Sequence, residues 1–210
     1  LKKSDEFQKW VKDHLDEIIK AAQSTTQYGK VLRIDQHAIQ NYVLLDFILD
    51  TGNAAGQNMV TLATNVACEY IRQETGHKFF LDSNLASDKK ASSRNMILGR
   101  GHGVIAETKI TKSVMARVLN VDSDFLYNSF NYFPIVSAMA GTKGNGLHIS
   151  NALTSIYLAT GQDTACVAEN SLGHFNIEKK EDGLIFRLTL PSLTVGTVGG
   201  GTRLNQQQQN

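Results

Sequence analysis

Cysteine is scarce. Cys68 and Cys166 are the two in 210 residues, too few for a disulfide framework and without the spacing of a metal-ligand set. Reduced thiols in a cytosol-like compartment are therefore expected, and no metal site. A bias of charge is missing as well: 21 basic against 20 acidic residues leave +1, so nothing draws the chain to nucleic acid or to an anionic membrane. The short clusters Lys2-Lys3, Lys89-Lys90 and Lys179-Lys180 read as solvated faces. No apolar run approaches the ~18 residues of a membrane span, no secretory leader is legible, and no internal repeat is present. The chain opens on Leu1 rather than Met and stops at Asn210, which gives the expectation of a fragment.

What is present is patterned. Residues 184–190 alternate as a strand, with Leu184, Phe186, Leu188 and Leu190 on one side. The strand then dissolves into Gly196 and the run Gly199-Gly200-Gly201, closed by Thr202. Consecutive glycines let bare backbone approach a ligand, because no Cβ intervenes; a flexible turn is the plainer reading.

Upstream, residues 4–22 form an amphipathic helix by spacing, with Ser4 as N-cap and Asp5 and Glu6 in the first turn. Strands follow at 31–34 and 42–49, the second apolar on both faces and so expected in a sheet interior. A helix at about 55–73 and a strand at 78–81 complete an α-β-β-α-β order, that of a ferredoxin-like unit lacking its first strand. This sets a small domain at 1–82.

Residues 83–210 differ in character. The stretch 87–95 reads as a polar loop, 99–103 as a glycine turn and 104–110 as a strand. Thr111 can cap a short helix to about 119, and 122–133 is helical with Pro134 ending it. The stretch 147–160 is apolar nearly all round, which predicts a buried helix with Gly161 at its C-terminus. The fold class is thus α+β, a small domain followed by part of a larger α/β domain around a central helix.

Four segments bear on chemistry. TGNAAGQNM (51–59) joins a strand to a helix start, where backbone N–H groups and the helix dipole suit an anion; an ordinary βα turn is the alternative. Asp88-Lys89-Lys90 is either a surface charge cluster or a source of one cation for developing oxyanion charge. Gly161-Gln162-Asp163 follows the apolar helix, where a partly desolvated carboxylate would be held ionised by a nearby lysine; post-helix turn chemistry is the alternative. The glycine strand is the fourth.

Taken together, TVGTVGGGTRL, IYLATGQD, TGNAAGQNMV, LASDKKASSRN and STTQYGK resemble, in order and spacing, the signature segments of the 3-hydroxy-3-methylglutaryl-coenzyme A (HMG-CoA) reductase family, class I in its two-lysine form. The resemblance runs from about residue 7 to 204. It implies reduction of HMG-CoA to mevalonate in two hydride transfers with release of CoA, usually with NADPH, on a small ferredoxin-like NAD(P)-binding domain and a large domain around a central helix.

By the same resemblance Lys89 is the catalytic lysine and Asp163 the catalytic aspartate. Asp88, Lys90 and Asn151 line the HMG-CoA pocket. Thr26, Gln27 and Tyr28 lie near the adenosine ribose, and Asn53, Ala54, Ala55, Gly56, Gln57 and Asn58 form the cofactor turn. Gly199, Gly200, Gly201 and Thr202 lie against substrate and cofactor. Gln27 stands where class I members carry an arginine for the 2′-phosphate, so NADH is an added expectation. Asn53 replaces a usual aspartate, and Tyr132 stands near a usual lysine. The family's catalytic glutamate and histidine fall outside 1–210, so the chain alone is expected to be inactive. A homo-oligomeric parent is implied, cytoplasmic or cytosol-facing, with an endoplasmic-reticulum anchor left open. The competing reading is a degraded homologue that binds CoA esters or a partner without turnover.

Overall fold

The computed structural model describes residues 2–200; Gly201 and Thr202 lie outside the described residues. The chain divides into two compact units, Leu1–Ala86 with Gly196–Asn210, and Ser87–Val195. The fold is α+β, with small antiparallel sheets.

In the first unit, α1 (Lys2–Asp13) and α2 (Leu15–Gln23) are separate helices meeting at His14, where periodicity alone predicts one. The His14 ring stacks on Trp10 at 4.3 Å and its Nδ1 meets the Trp10 carbonyl at 2.9 Å, so a side chain competes for a helix acceptor at the break. Strands β1 (Lys30–Ile39) and β2 (Tyr42–Asp50) form an antiparallel hairpin from Lys30↔Asp50 to Ile39↔Tyr42. Helix α3 (Gln57–Thr75) packs on α2. Ala22, Ala63 and Ala67 are fully buried, and their small side chains let the helices approach around Val11, Ile18, Phe47 and Ile71.

Two expectations fail here. Among the described residues β2 pairs only with β1, so it is not an interior strand, and residues 78–81 form no strand. A cavity of about 500 Å³ is lined by Tyr42–Leu45 and residues 77–83 together with Phe7, Cys68 and Ile71, and among the described residues the two segments form no ladder.

In the second unit α4 (Ser93–Leu98) occupies part of the stretch expected to be loop. The Ser92 side chain accepts from the Asn95 N–H, an N-cap that six residues of sequence were too short to announce by periodicity. Then follow β3 (Arg100–Thr111), a single turn α5 (Lys112–Val114) capped by Thr111, and a π-helical turn Met115–Leu119. Helix α6 (Ser123–Phe130) is capped by Asp122, and α7 (Phe133–Met139) carries Pro134 in its first turn. Proline thus starts a helix instead of ending one, at a position where its missing N–H forfeits no intrahelical bond.

Helix α8 (Ile149–Thr160) buries Ile149, Leu153 and Tyr157, one residue per turn, but leaves Ile156 and Leu158 at 53% and 63% exposure. Burial is one-sided, against the expectation of a helix covered all round. Gly161 ends it in the left-handed region. A 3₁₀ turn (Thr164–Cys166) and α9 (Val167–Asn170) lead to β4 (His174–Lys180) and β5 (Gly183–Leu193). Strand β5 is central in the order β3-β5-β4. Its Leu184 and Leu190 are buried, and Leu190 joins Ile149, Leu153, Tyr157 and Cys166 in the core.

Candidate active site

In the second unit, Lys89 sits in a turn closed by the Lys90 N–H bonding to the Ser87 carbonyl at 3.2 Å. Its φ is +55°, a region that costs a side-chain-bearing residue about 1 kcal/mol or more. The turn is pinned from below: buried Ser87 and Asn95 are hydrogen-bonded to each other, side chain to side chain, and Asn95 Nδ2 also donates to the Ser87 carbonyl. So held, Lys89 points its Nζ to 3.0 Å from Asp163 Oδ2.

Asp163 arrives from the other direction. It is the N-cap of the 3₁₀ turn after α8, and its Oδ1 accepts from the Ala165 N–H at 3.0 Å. One carboxylate oxygen therefore anchors the backbone and the other faces the lysine. The hydrogen bond from Lys89 to Asp163 holds the ammonium pKa above its ordinary value, partly opposed by burial. With the two side chains 43% and 20% exposed, such a pair contributes at most about 1 kcal/mol to stability, fully present below the ordinary lysine pKa and lost as pH rises through the raised one. Stability is a weak reason for the arrangement. A cation that stays protonated beside a proton-accepting carboxylate can instead bind, and donate to, an oxygen that gains negative charge.

A second set of charges lies behind the pair. Asp88 Oδ1 is 3.1 Å from Arg100 Nη1, and the same nitrogen meets both oxygens of fully buried Glu169 at 2.6 and 2.5 Å. It also lies 3.4 Å from the Thr194 hydroxyl. Burial opposes the guanidinium charge, but the neighbouring groups together, Glu169 foremost and then Asp88, raise the pKa. Asp88, Cys166 and Glu169 place potential metal-ligand atoms within 4.8 Å of one another. The Arg100 cation already meets both carboxylates, so the group is an ion-pair cluster in this structure. Beside it, buried Tyr157 donates to the Thr194 carbonyl at 2.9 Å and accepts from Asn170 Nδ2 at 2.5 Å, while Asn170 Oδ1 accepts the Thr194 N–H. Burial pushes the Tyr157 phenol up to about 12.

Sequence reasoning named Lys89, Asp163, Asp88 and Lys90, and the structure brings them into one region. Lys90 Nζ donates to the Asp88 carbonyl at 3.3 Å. Asn151, in the first turn of α8, meets instead the ring of His148 at 3.2 Å. Arg100, Glu169, Thr194, Tyr157 and Asn170 were missed. No local pattern links residues as far apart as Arg100 and Glu169; only the burial of charge in a mainly apolar context sets them apart.

In the first unit the cofactor-type segments also converge. The Thr26 hydroxyl accepts from the N–H groups of Tyr28 and Gly29 at 3.1 Å each, and Gly29 lies against the Met59 side chain near the start of α3. Gln27 and Tyr28 are exposed on this turn. Gly56 is the left-handed residue that launches α3, and a Cβ there would sit 2.3 Å from Thr51 Cγ2. The Asn53 carbonyl accepts from the N–H groups of Thr197 and Val198 at 2.9 and 3.1 Å, and the Ala55 N–H donates to the Gly199 carbonyl at 3.3 Å. A Cβ on Gly196 would lie 2.7 Å from the Ala55 nitrogen. Backbone meets backbone across Asn53, Ala54 and Ala55, with exposed Asn58 and half-buried Gln57 in the first turn of α3 and Gly200 buried at the end of the described glycines. The N-terminal N–H groups of such a helix favour an anion.

Comparison with known proteins bears on the whole chain. A family model described as hydroxymethylglutaryl-coenzyme A reductase matches residues 1–210. The chain is 37% identical over 209 residues to the 3-hydroxy-3-methylglutaryl-coenzyme A reductase of Methanocaldococcus jannaschii, covering 95% of this chain and 51% of that protein. It is 37% identical over 214 residues to that of Pyrococcus horikoshii, covering 99% and 52%. The chain thus spans about half the length of these curated relatives. A solved class II reductase from Streptococcus pneumoniae, bound to NADPH in open conformations, superposes with a TM-score of 0.64 at 18% identity, covering 96% of this chain and 57% of that one.

Proposed function

The chain belongs to the hydroxymethylglutaryl-coenzyme A reductase family, and from that premise we propose that the protein carrying it reduces the thioester of HMG-CoA to the alcohol mevalonate, releasing CoA and oxidising two NAD(P)H. The observation that carries this reading is the 3.0 Å contact of Lys89 Nζ with Asp163 Oδ2.

The cofactor, when bound, supplies a hydride to the carbonyl carbon. The residues that would hold it are 26–28 and 53–58 with the glycines from 199 onward. They fit an anionic dinucleotide on two observations: Gly56 opens the helix start without a Cβ, and the Gly196–Gly199 backbone closes on Ala55. Gln27 offers an amide where a 2′-phosphate would prefer a cation, and Arg33 is engaged with Asp35 at 3.0 Å. Weaker preference for NADPH over NADH follows.

Lys89 does the electrostatic work. Its ammonium stabilises the oxyanion formed when the thioester carbonyl is attacked. The C–S bond then breaks, the electron pair leaves on sulfur as thiolate, and the carbonyl re-forms as an aldehyde. In the second reduction Lys89 Nζ gives its proton to the alkoxide oxygen, and Asp163 holds the lysine charged and in place. Asp88, Lys90 and Asn151 are assigned to the HMG-CoA pocket. Residues 1–82 are assigned as the nucleotide-binding domain and 83–210 as part of the substrate domain, with the segment from Gly196, which clusters with the first unit, contributing its backbone to the nucleotide side. A homo-oligomeric, cytosol-facing protein is part of the same proposal.

The test is mevalonate formation by the full-length protein with HMG-CoA and NADPH or NADH, in wild type and in Lys89→Met and Asp163→Asn. No mevalonate from the wild type would remove the reading, and turnover that both variants retain would remove the roles given to Lys89 and Asp163.

A further inference from the structure

The Lys89–Asp163 pair stands on two segments that do not otherwise share an element. Lys89 is on the strained turn before α4, and Asp163 caps the 3₁₀ turn before α9. Both side chains are partly exposed, so packing alone does not fix their separation. One partly buried guanidinium nitrogen joins the two segments. Arg100 Nη1 bonds Asp88, the neighbour of Lys89, at 3.1 Å and Glu169, six residues after Asp163, at 2.6 and 2.5 Å.

We propose that Arg100 is a positioning residue for the reduction: its guanidinium, seated on Glu169 and holding Asp88, sets the distance at which Lys89 presents its ammonium to Asp163 and to the substrate oxygen. Three observations support the role. Glu169 is 0% exposed, so the anchor end of the clamp does not swing. Arg100 is itself fixed at the first residue of β3, where its carbonyl accepts the buried Ser192 hydroxyl at 3.0 Å. The polar groups around it satisfy one another: Thr194 bonds Arg100 through its hydroxyl and Asn170 and Tyr157 through its backbone. A satisfied buried network of this kind holds one geometry. Lysine is not equivalent there: the planar guanidinium holds its Nη1 in a fixed position between the two carboxylates, whereas an ammonium sits on a flexible four-carbon stem.

The inference rests on the reductase reading for its catalytic consequence but not for its geometry, and the experiment separates the two. In the full-length protein, Arg100→Lys keeps the charge that buried Glu169 requires, and Glu169→Gln loosens the anchor while sparing Asp88. Both should keep the wild-type circular dichroism spectrum. Each should lose about ten- to a hundredfold in kcat, the scale for a displaced catalytic group, with KM for HMG-CoA and cofactor within about twofold. Independently of turnover, labelling of Lys89 by acetic anhydride at pH 8, read by peptide mass mapping, should accelerate at least about threefold in both variants as the amine leaves its carboxylate partner. Wild-type labelling of Lys89 in both folded variants overturns the positioning role, as does a loss confined to KM. Altered labelling in a protein whose wild type makes no mevalonate would overturn the reductase reading and leave the clamp standing.

Discussion

The two units present candidate sites built from different parts of the polypeptide. In the first, the region at 51–59 is made of backbone: a left-handed glycine, a carbonyl taken by two amides, and a glycine segment lying on an alanine nitrogen. In the second, the region at Lys89 is made of side chains: an ammonium, three carboxylates and a guanidinium, with Asp163 backed by a backbone amide. Backbone contacts suit a ligand that must be held by shape and phosphate charge, and they tolerate no added Cβ. Side-chain charges suit a reacting oxygen whose charge changes, and they tolerate isosteric replacement in folding but not in chemistry. Substitutions in each region should therefore fail in opposite ways.

The largest effect is expected at Lys89. Lys89→Met in the full-length protein should lower kcat by about 10²–10³, the scale for one oxyanion donor, while melting temperature and cofactor affinity stay near wild type. A loss of fold instead would erase the contrast. Next comes Gly56→Ala, where a positive φ and a 2.3 Å approach to Thr51 Cγ2 should cost about 2 kcal/mol in denaturant unfolding and weaken cofactor binding. Gly52→Ala sharpens the point: its φ is +60° but nothing lies within 4 Å, so it should cost about half as much.

Gln27→Arg adds a side-chain charge to the backbone region. It should raise the NADPH-over-NADH ratio of kcat/KM about tenfold, as for one charged hydrogen bond; an unchanged ratio would show that the exposed turn does not meet the 2′ position. The smallest effect belongs to Tyr157→Phe, about 1 kcal/mol for the lost hydroxyl contacts. Its signature is in alkali. A phenol held at about 12 when folded and near 10 when unfolded binds more protons in the native state over that window. Its contribution is complete below pH 10 and is lost as pH rises towards 12, and the variant should lack that part of the slope.

Much of this was legible in the sequence where the signal is local. The α3 stripe, the Thr111 cap, the Gly161 terminus and the alternation of β5 each depend on residues within a few positions of one another. A carboxylate at 163 held ionised by a lysine is suggested by the residues themselves, but the assignment of Lys89 and Asp163 as catalytic rests on the family resemblance, since no spacing rule pairs residues 74 positions apart (163 minus 89). What stayed illegible was long-range or conditional. Residues 42–49 carry an interior strand's composition, but pairing depends on a second neighbour that the local pattern cannot supply. Pro134 reads equally as a stop or a start, and the Phe133–Met139 geometry decided it. Helix α8 looks apolar on every side, and only the packing shows which stripe is covered. Arg100 and Glu169 look like surface charges until the fold buries Glu169 and brings the Arg100 guanidinium onto it.

The left-handed backbone at residue 89 has a corollary for engineering. Glycine or asparagine would occupy that dihedral more comfortably than lysine, so folding and chemistry rank the twenty amino acids differently at this one position. A library screened for heat resistance alone would drift away from the ammonium there and return robust, inert proteins.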